Sequence, residues 1–117
     1  MVRGSRRRLL TGAGAFEEVL RGGRRRDGEY VELIVMPAAR EYGRVGMVIG
    51  RKALPRAVDR NRIRRMLRVV LRDARHAISG YDLIVRLKRG VSRQRFPLIA
   101  ADAARLIASV AMQSQSP

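Results

Sequence analysis

The stretch Arg56-Ala57-Val58-Asp59-Arg60-Asn61-Arg62-Ile63-Arg64-Arg65-Met66-Leu67-Arg68 crowds positive charge together and still keeps a helical apolar rhythm. Apolar residues recur at Ile63, Met66, Leu67, Val70, Leu71, Ala74, Ala77 and Ile78, the i, i+3, i+4, i+7 spacing of one helix face. At about 100° per residue, Asn61, Arg65, Arg68, Arg72 and Arg75 fall on the opposite side. The rest of the chain must supply an apolar surface for one face and leave the other to solvent or polyanion. A folded cationic helix of this kind is a binding surface, whereas an unpatterned arginine tail only attracts.

A chain of 117 residues with 46% apolar side chains is read as a single domain over 1–117 with one core. Its 26 basic and 10 acidic side chains leave a net charge of +16, which cannot be neutralised internally and suits a phosphate-rich partner. The bases are nearly all arginine. That residue favours bidentate phosphate contacts, although a general arginine preference would give the same usage. No apolar run approaches the roughly 18–20 residues of a membrane span. Arg6-Arg7-Arg8 is followed by only Leu9-Leu10 before Thr11-Gly12, so no secretory signal is read. The expectation is a cytoplasmic protein without membrane contact.

With no cysteine, disulfides, thiolate metal sites and cysteine nucleophiles drop out. The single histidine, His76, cannot build a metal cluster or a catalytic triad and reads as a solvated or half-buried position. No Gly-x-x-x-x-Gly-Lys-Ser/Thr loop occurs. The acids are scattered without a matched pair, which argues against a protein nuclease acting alone. Neither a catalytic residue nor a protein-held metal is therefore expected.

Residues 1–8 read as a basic flexible lead-in and 113–117 as a disordered tail. Phe16, Val19 and Leu20 share a face of a short helix over 14–21, stopped by Gly22-Gly23. Residues 24–28 read as a loop or short strand into a turn. Tyr30 to Met36 is a strand stopped by Pro37, and Arg44 to Gly50 is a second. The short connector between them suggests an antiparallel pair. Pro55 suits the start of the basic helix, which should run to about Ile78. A strand at Tyr81 to Leu87 and a helix over roughly Phe96 to Met112 complete the chain. The expected fold is α+β, a two-layer sandwich whose mixed sheet is flanked by three helices in the order α-β-β-β-α-β-α. The path from Arg44–Gly50 through the basic helix to Tyr81–Leu87 reads as a βαβ crossover, right-handed by the general rule.

Arg44-Val-Gly-Met-Val-Ile-Gly-Arg-Lys52, followed by Arg56-Ala-Val-Asp-Arg-Asn-Arg-Ile-Arg-Arg-Met-Leu-Arg68, resembles the signature of the bacterial ribonuclease P protein family. That family shows R-V-G-hydrophobic-x-hydrophobic-S-K-K, a short gap, then G-K/N-A-V-x-R-N-R-x-K-R-x-x-R-E. Phe16-Glu-Glu-Val-Leu with Gly22 is similar to its first helix, and Tyr81-Asp82-Leu-Ile-Val to its last strand. The resemblance covers about residues 5 to 110. This chain departs from the pattern at Gly50, Pro55, Arg56 and Val69, and at Leu20, where a second aromatic is usual.

The resemblance implies a sheet with three helices and a left-handed crossover, in place of the general rule. It implies a protein subunit that binds a catalytic RNA. Together they remove the 5′ leader of precursor transfer RNA, with chemistry carried by the RNA and its bound magnesium (Mg2+). It further implies a monomer in a 1:1 complex with that RNA and no obligate protein partner. Arg56, Arg60, Arg62, Arg64, Arg65 and Arg68 fall on signature positions expected to meet the catalytic RNA. Asn61 could bond RNA, cap the helix or act as a strut. Arg62 could pair with Asp59 three residues before it. Arg72 and Arg75 fit a solvated face as well as a contact. Phe16 matches the leader-cleft aromatic, Arg51 and Lys52 match the basic pair after the strand, and Tyr30 is a further aromatic candidate. The helical spacing of Phe16 with Val19 and Leu20 equally fits core packing. The competing reading is a non-enzymatic small RNA-binding protein of ribosomal or RNA-chaperone type.

Overall fold

Two segments, 31–37 and 81–87, carry apolar residues on both alternations at their centres, so neither can face water on either side. In the computed structural model, which describes residues 8–10, 13–39 and 43–114, both are central strands covered on both faces. The elements run β1 (Arg8–Leu9), α1 (Ala13–Gly22), β2 (Arg24–Asp27), β3 (Val31–Pro37), β4 (Arg44–Val48), α2 (Ala57–Asp73), β5 (Tyr81–Leu87) and α3 (Phe96–Ser114). A 3-10 turn at Arg93–Arg95 leads into α3. The sheet order is β1-β4-β5-β3-β2, with β4 parallel to β1 and β5, and β3 antiparallel to β5 and β2.

Leu33, Val35, Leu83 and Val85 point to the main core. There they meet Ile63, Leu67 and Leu71 of α2 and Phe96, Ile99, Ala103 and Ile107 of α3. Ile34 and Ile84, one residue out of phase, point to the other face and pack with Leu10 and Val19 under α1. The sheet with α2 and α3 forms the expected two layers. α1 adds a smaller layer on the opposite face.

Three expectations need correction. The strands β3 and β4 are not neighbours, because β5 lies between them. A tight β3–β4 hairpin would leave β5, apolar on both faces, at a sheet edge. The helix α2 stops at Asp73, and residues 74–80 form turns through which Ile78 still reaches the core fully buried. Arg8, assigned to the lead-in, begins β1. Most of that lead-in, and the end of the proposed tail, lie outside the described residues.

A buried ion pair fixes how β4 enters the sheet. The Asp82 carboxylate accepts from the Arg44 backbone N–H at 2.9 Å and from its guanidinium at 3.0 Å, tying the first residues of β4 and β5 together. The path β4–α2–β5 thus joins two adjacent parallel strands by a crossover whose helix lies on the main core.

Candidate nucleic-acid interface

The apolar stripe of α2 fixes the outward direction of its arginines. Ile63, Leu67 and Leu71 are 0%, 1% and 2% exposed, so the opposite face stands in solvent. Arg65 and Arg68 lie there, and Arg56 at the N-cap is also exposed. None of the three side chains has a hydrogen-bond or ion-pair partner among the described residues. Asp59, in the first turn, is favourably placed against the helix dipole.

The remaining signature residues are partly engaged. Asn61 Oδ1 accepts from Arg64 Nη1 at 3.0 Å, so the asparagine steers the arginine one turn on. Half-buried Arg60 donates from Nη1 to the carbonyls of Leu54 and Pro55, both at 2.8 Å, and braces the entry to the helix. Arg62 does not pair with Asp59. Its guanidinium lies 5.8 Å from the centre of the Phe96 ring, and Asp59 Oδ1 accepts instead from Arg93 Nε at 2.9 Å. The physical reason is tertiary: the 3-10 turn before α3 runs beside the first turn of α2 and delivers Arg93 to that carboxylate.

On the other face of the sheet, the half-buried Phe16 ring lies over Gly46 of β4. A side chain at Gly46 would come within 2.7 Å of Phe16 Cζ, so the missing Cβ is what lets the ring approach. Arg51 and Lys52 are exposed in the turn that follows β4. Tyr30 is not brought to this site. It is 7% exposed and belongs to the main core, with the Arg89 guanidinium 5.8 Å from the centre of its ring. It sits just before β3, where its ring turns toward the α3 face.

Gly46 was not singled out from the sequence, although a lone glycine inside a strong strand pattern signals a close approach. Arg86 was also missed. It alternates with the core residues Val85 and Leu87, which puts it on the α1 face, but its partner there depends on strand register. A separate cavity of about 460 Å³, lined in part by Arg24, Arg26, Tyr81 and Val110, touches none of the predicted site residues.

Among the described residues, no three His, Cys, Asp or Glu side chains are grouped so as to hold a metal ion. No described helix is long and apolar enough to cross a membrane.

Comparison with known proteins gives one answer at three levels. The family model described as Ribonuclease P matches residues 5–111. The ribonuclease P protein component of Nitrosococcus oceani is 37% identical over 84 residues, covering 72% of this chain and 71% of that protein. That of a Synechococcus species is 40% identical over 98 residues, covering 80% and 74%. Among solved structures, the Thermotoga maritima ribonuclease P protein superposes with a TM-score of 0.70 at 21% identity, covering 88% of this chain and 97% of that one. The Staphylococcus aureus protein gives a TM-score of 0.74 at 17% identity, covering 89% and 95%. At such identities these two likenesses concern the fold.

Proposed function

The chain belongs to the ribonuclease P protein family, and on that premise we propose that α2 binds the catalytic RNA while the α1 side of the sheet takes the 5′ leader of precursor transfer RNA. Membership makes the chain a component of a ribonucleoprotein endonuclease of transfer-RNA processing and sets aside the ribosomal and RNA-chaperone readings.

The observation that carries the proposal is the contrast across α2. One side is buried to within 2% and the other offers Arg56, Arg65 and Arg68 unpaired among the described residues. The sheet fixes the helix, so these guanidiniums form a rigid field that can displace counterions from a phosphate-dense groove. Arg62 and Arg64, each held by a neighbour, extend that field. Asn61 then acts by aiming Arg64. Arg60 contributes charge while its Nη1 serves the backbone.

The chemistry belongs to the RNA and its magnesium in this reading. Four of the more buried acids are committed: Asp82 to Arg44, Asp102 to backbone N–H groups, Asp59 to Arg93, Glu32 to Arg25 and Arg86. A carboxylate so engaged is a poor general base or metal ligand. The protein orients two RNAs and holds no reacting group. It works as one copy per catalytic RNA in the cytoplasm. Phe16, with Arg51 and Lys52 beyond it, supplies the stacking surface and cationic wall that unpaired strands need.

Reconstitution tests this. The purified protein alone should leave precursor transfer RNA intact, and it should stimulate the cognate RNA subunit at low magnesium. Phe16→Ala should weaken a substrate with a long leader more than one without. Equal effects on both would return Phe16 to a packing role.

A further inference from the structure

The α1 face of the sheet carries a charge cluster that neither the core nor the α2 surface uses. Glu32 of β3 stands opposite Arg86 of β5. Its Oε1 accepts from Arg86 Nη2 at 3.0 Å and from Arg25 Nη1 at 3.1 Å. The Glu32 side chain is only 13% exposed, but the two arginine side chains are 48% and 47% exposed. Arg25 is further tied down, since its Nη2 donates to the Leu20 carbonyl of α1 at 2.9 Å. The Arg86 side chain has no other hydrogen-bond or ion-pair partner among the described residues. One carboxylate between two guanidiniums leaves a positive charge in place, and the neighbouring Asp27 is already matched by Lys88 at 2.6 Å.

Register locates this charge. Ile84 of β5 pairs with Gly46, over which Phe16 lies, and Arg86 pairs with Val48 on the same face. Two residues of strand separate the positions, about 7 Å. Half-buried Val48, packed against the same small apolar cluster as Phe16, floors the gap. A base stacked on Phe16 would carry its sugar-phosphate to within reach of Arg86.

We propose that Arg86, held in position by Glu32, is a phosphate-binding site for the single-stranded RNA that stacks on Phe16. This rests on the reading that the leader crosses that face. Glu32 is the positioning residue: it orders the guanidinium before RNA arrives, so less freedom is lost on binding. The outward N–H groups of Arg86 remain for a phosphodiester, which a planar fork grips by charge-assisted hydrogen bonds. The same chemistry could be offered by the backbone of the catalytic RNA, so the test separates the two sources.

The experiment uses the reconstituted holoenzyme, with affinities for leader-bearing and leaderless transfer RNA measured across salt concentration. Association of the protein with the RNA subunit is measured in parallel. Arg86→Ala should weaken the leader-bearing substrate about tenfold, the size of one charge-assisted hydrogen bond. It should also reduce the log–log salt slope by about 0.7, the single-strand value for one phosphate. Leaderless substrate and assembly with the RNA subunit should be unchanged. Arg86→Lys, which keeps charge and fold but loses the fork, should fall between. Glu32→Gln should also weaken leader binding although it removes a negative charge. Tighter binding by that variant would overturn the positioning role. If Phe16→Ala discriminates the two substrates and Arg86→Ala does not, the phosphate site is wrong and the leader reading stands. If neither discriminates, both fall. If Arg86→Ala weakens assembly with the RNA subunit instead, the phosphate belongs to that RNA and the leader site is overturned.

Discussion

Gly28 and Asp102 meet so closely that any side chain on Gly28 would run into the Asp102 carboxylate. That carboxylate, 7% exposed, accepts from the backbone N–H groups of Tyr30 at 2.9 Å and Val31 at 3.1 Å and from Arg105 at 2.8 Å. It clamps α3 onto the turn between β2 and β3. Burial alone would push its pKa up. The Tyr30 N–H, the Arg105 guanidinium, and the N–H groups of Val31 and Glu29 together outweigh burial and hold it below the ordinary aspartate value.

A pH dependence follows with a definite sign. Because the folded carboxyl titrates lower than the unfolded one, its stabilisation is complete above the usual aspartate range. It is lost as pH falls through that range toward the depressed value. Asp102→Asn should therefore flatten the acid limb of a plot of Tm against pH. Asp102→Ala, which strands two buried backbone donors, should cost about 1–3 kcal/mol in urea unfolding near neutral pH. An acid limb in Asp102→Asn as steep as in the unmodified chain would show that another group controls it.

Gly28→Ala should destabilise the chain by a similar amount, and less so once Asp102 has been replaced by alanine. The clash and the clamp share one carboxylate, so the two changes should not add. A double-mutant cycle on unfolding free energies reads this directly. Strict additivity would mean the backbone turn relaxes away from the helix.

Gly46→Ala should lift Phe16 off β4, since the new methyl group would sit 2.7 Å from Phe16 Cζ. The expected stability loss is about 1–3 kcal/mol, as for other overpacked sites. Leader-length discrimination should fall along with it. A variant that melts early yet discriminates normally would separate the ring's packing from any stacking.

Arg60 and its neighbours on α2 should behave oppositely. Arg65→Ala and Arg68→Ala should leave Tm unchanged and lower the salt slope of RNA binding by roughly one per phosphate contact. Arg60→Ala should lower stability by about 1 kcal/mol, because the Leu54 and Pro55 carbonyls lose their donor. Thermal melts and salt titrations on the three variants distinguish strut from contact.

The residues of α2 show how far local pattern reaches. Ile63, Leu67 and Leu71 are buried as their spacing requires, and Arg65 and Arg68 stand outward for the same reason. These follow from a 100° rotation per residue, which needs no knowledge of what lies across the core. The strands β3, β4 and β5 were legible too, since period-2 and continuous apolar runs are equally local. Arg60 and Arg65 look alike on that basis. Only the fold of residues 54–56 back toward the helix makes one a brace and leaves the other unpaired.

The amino-acid order alone settled the three helices and the strands β3, β4 and β5 apart from their ends, which side of α2 is cationic, and which family signature the chain bears. Tertiary structure decided that β5 separates β3 from β4, that Asp59 takes Arg93 rather than Arg62, and that Tyr30 turns into the main core while Phe16 rests on Gly46. The division has one cause. Rotation along a helix or strand is set by neighbours three or four residues away. Strand order and ion-pair choice are set by contacts between residues tens of positions apart, which come into being only when the whole core closes.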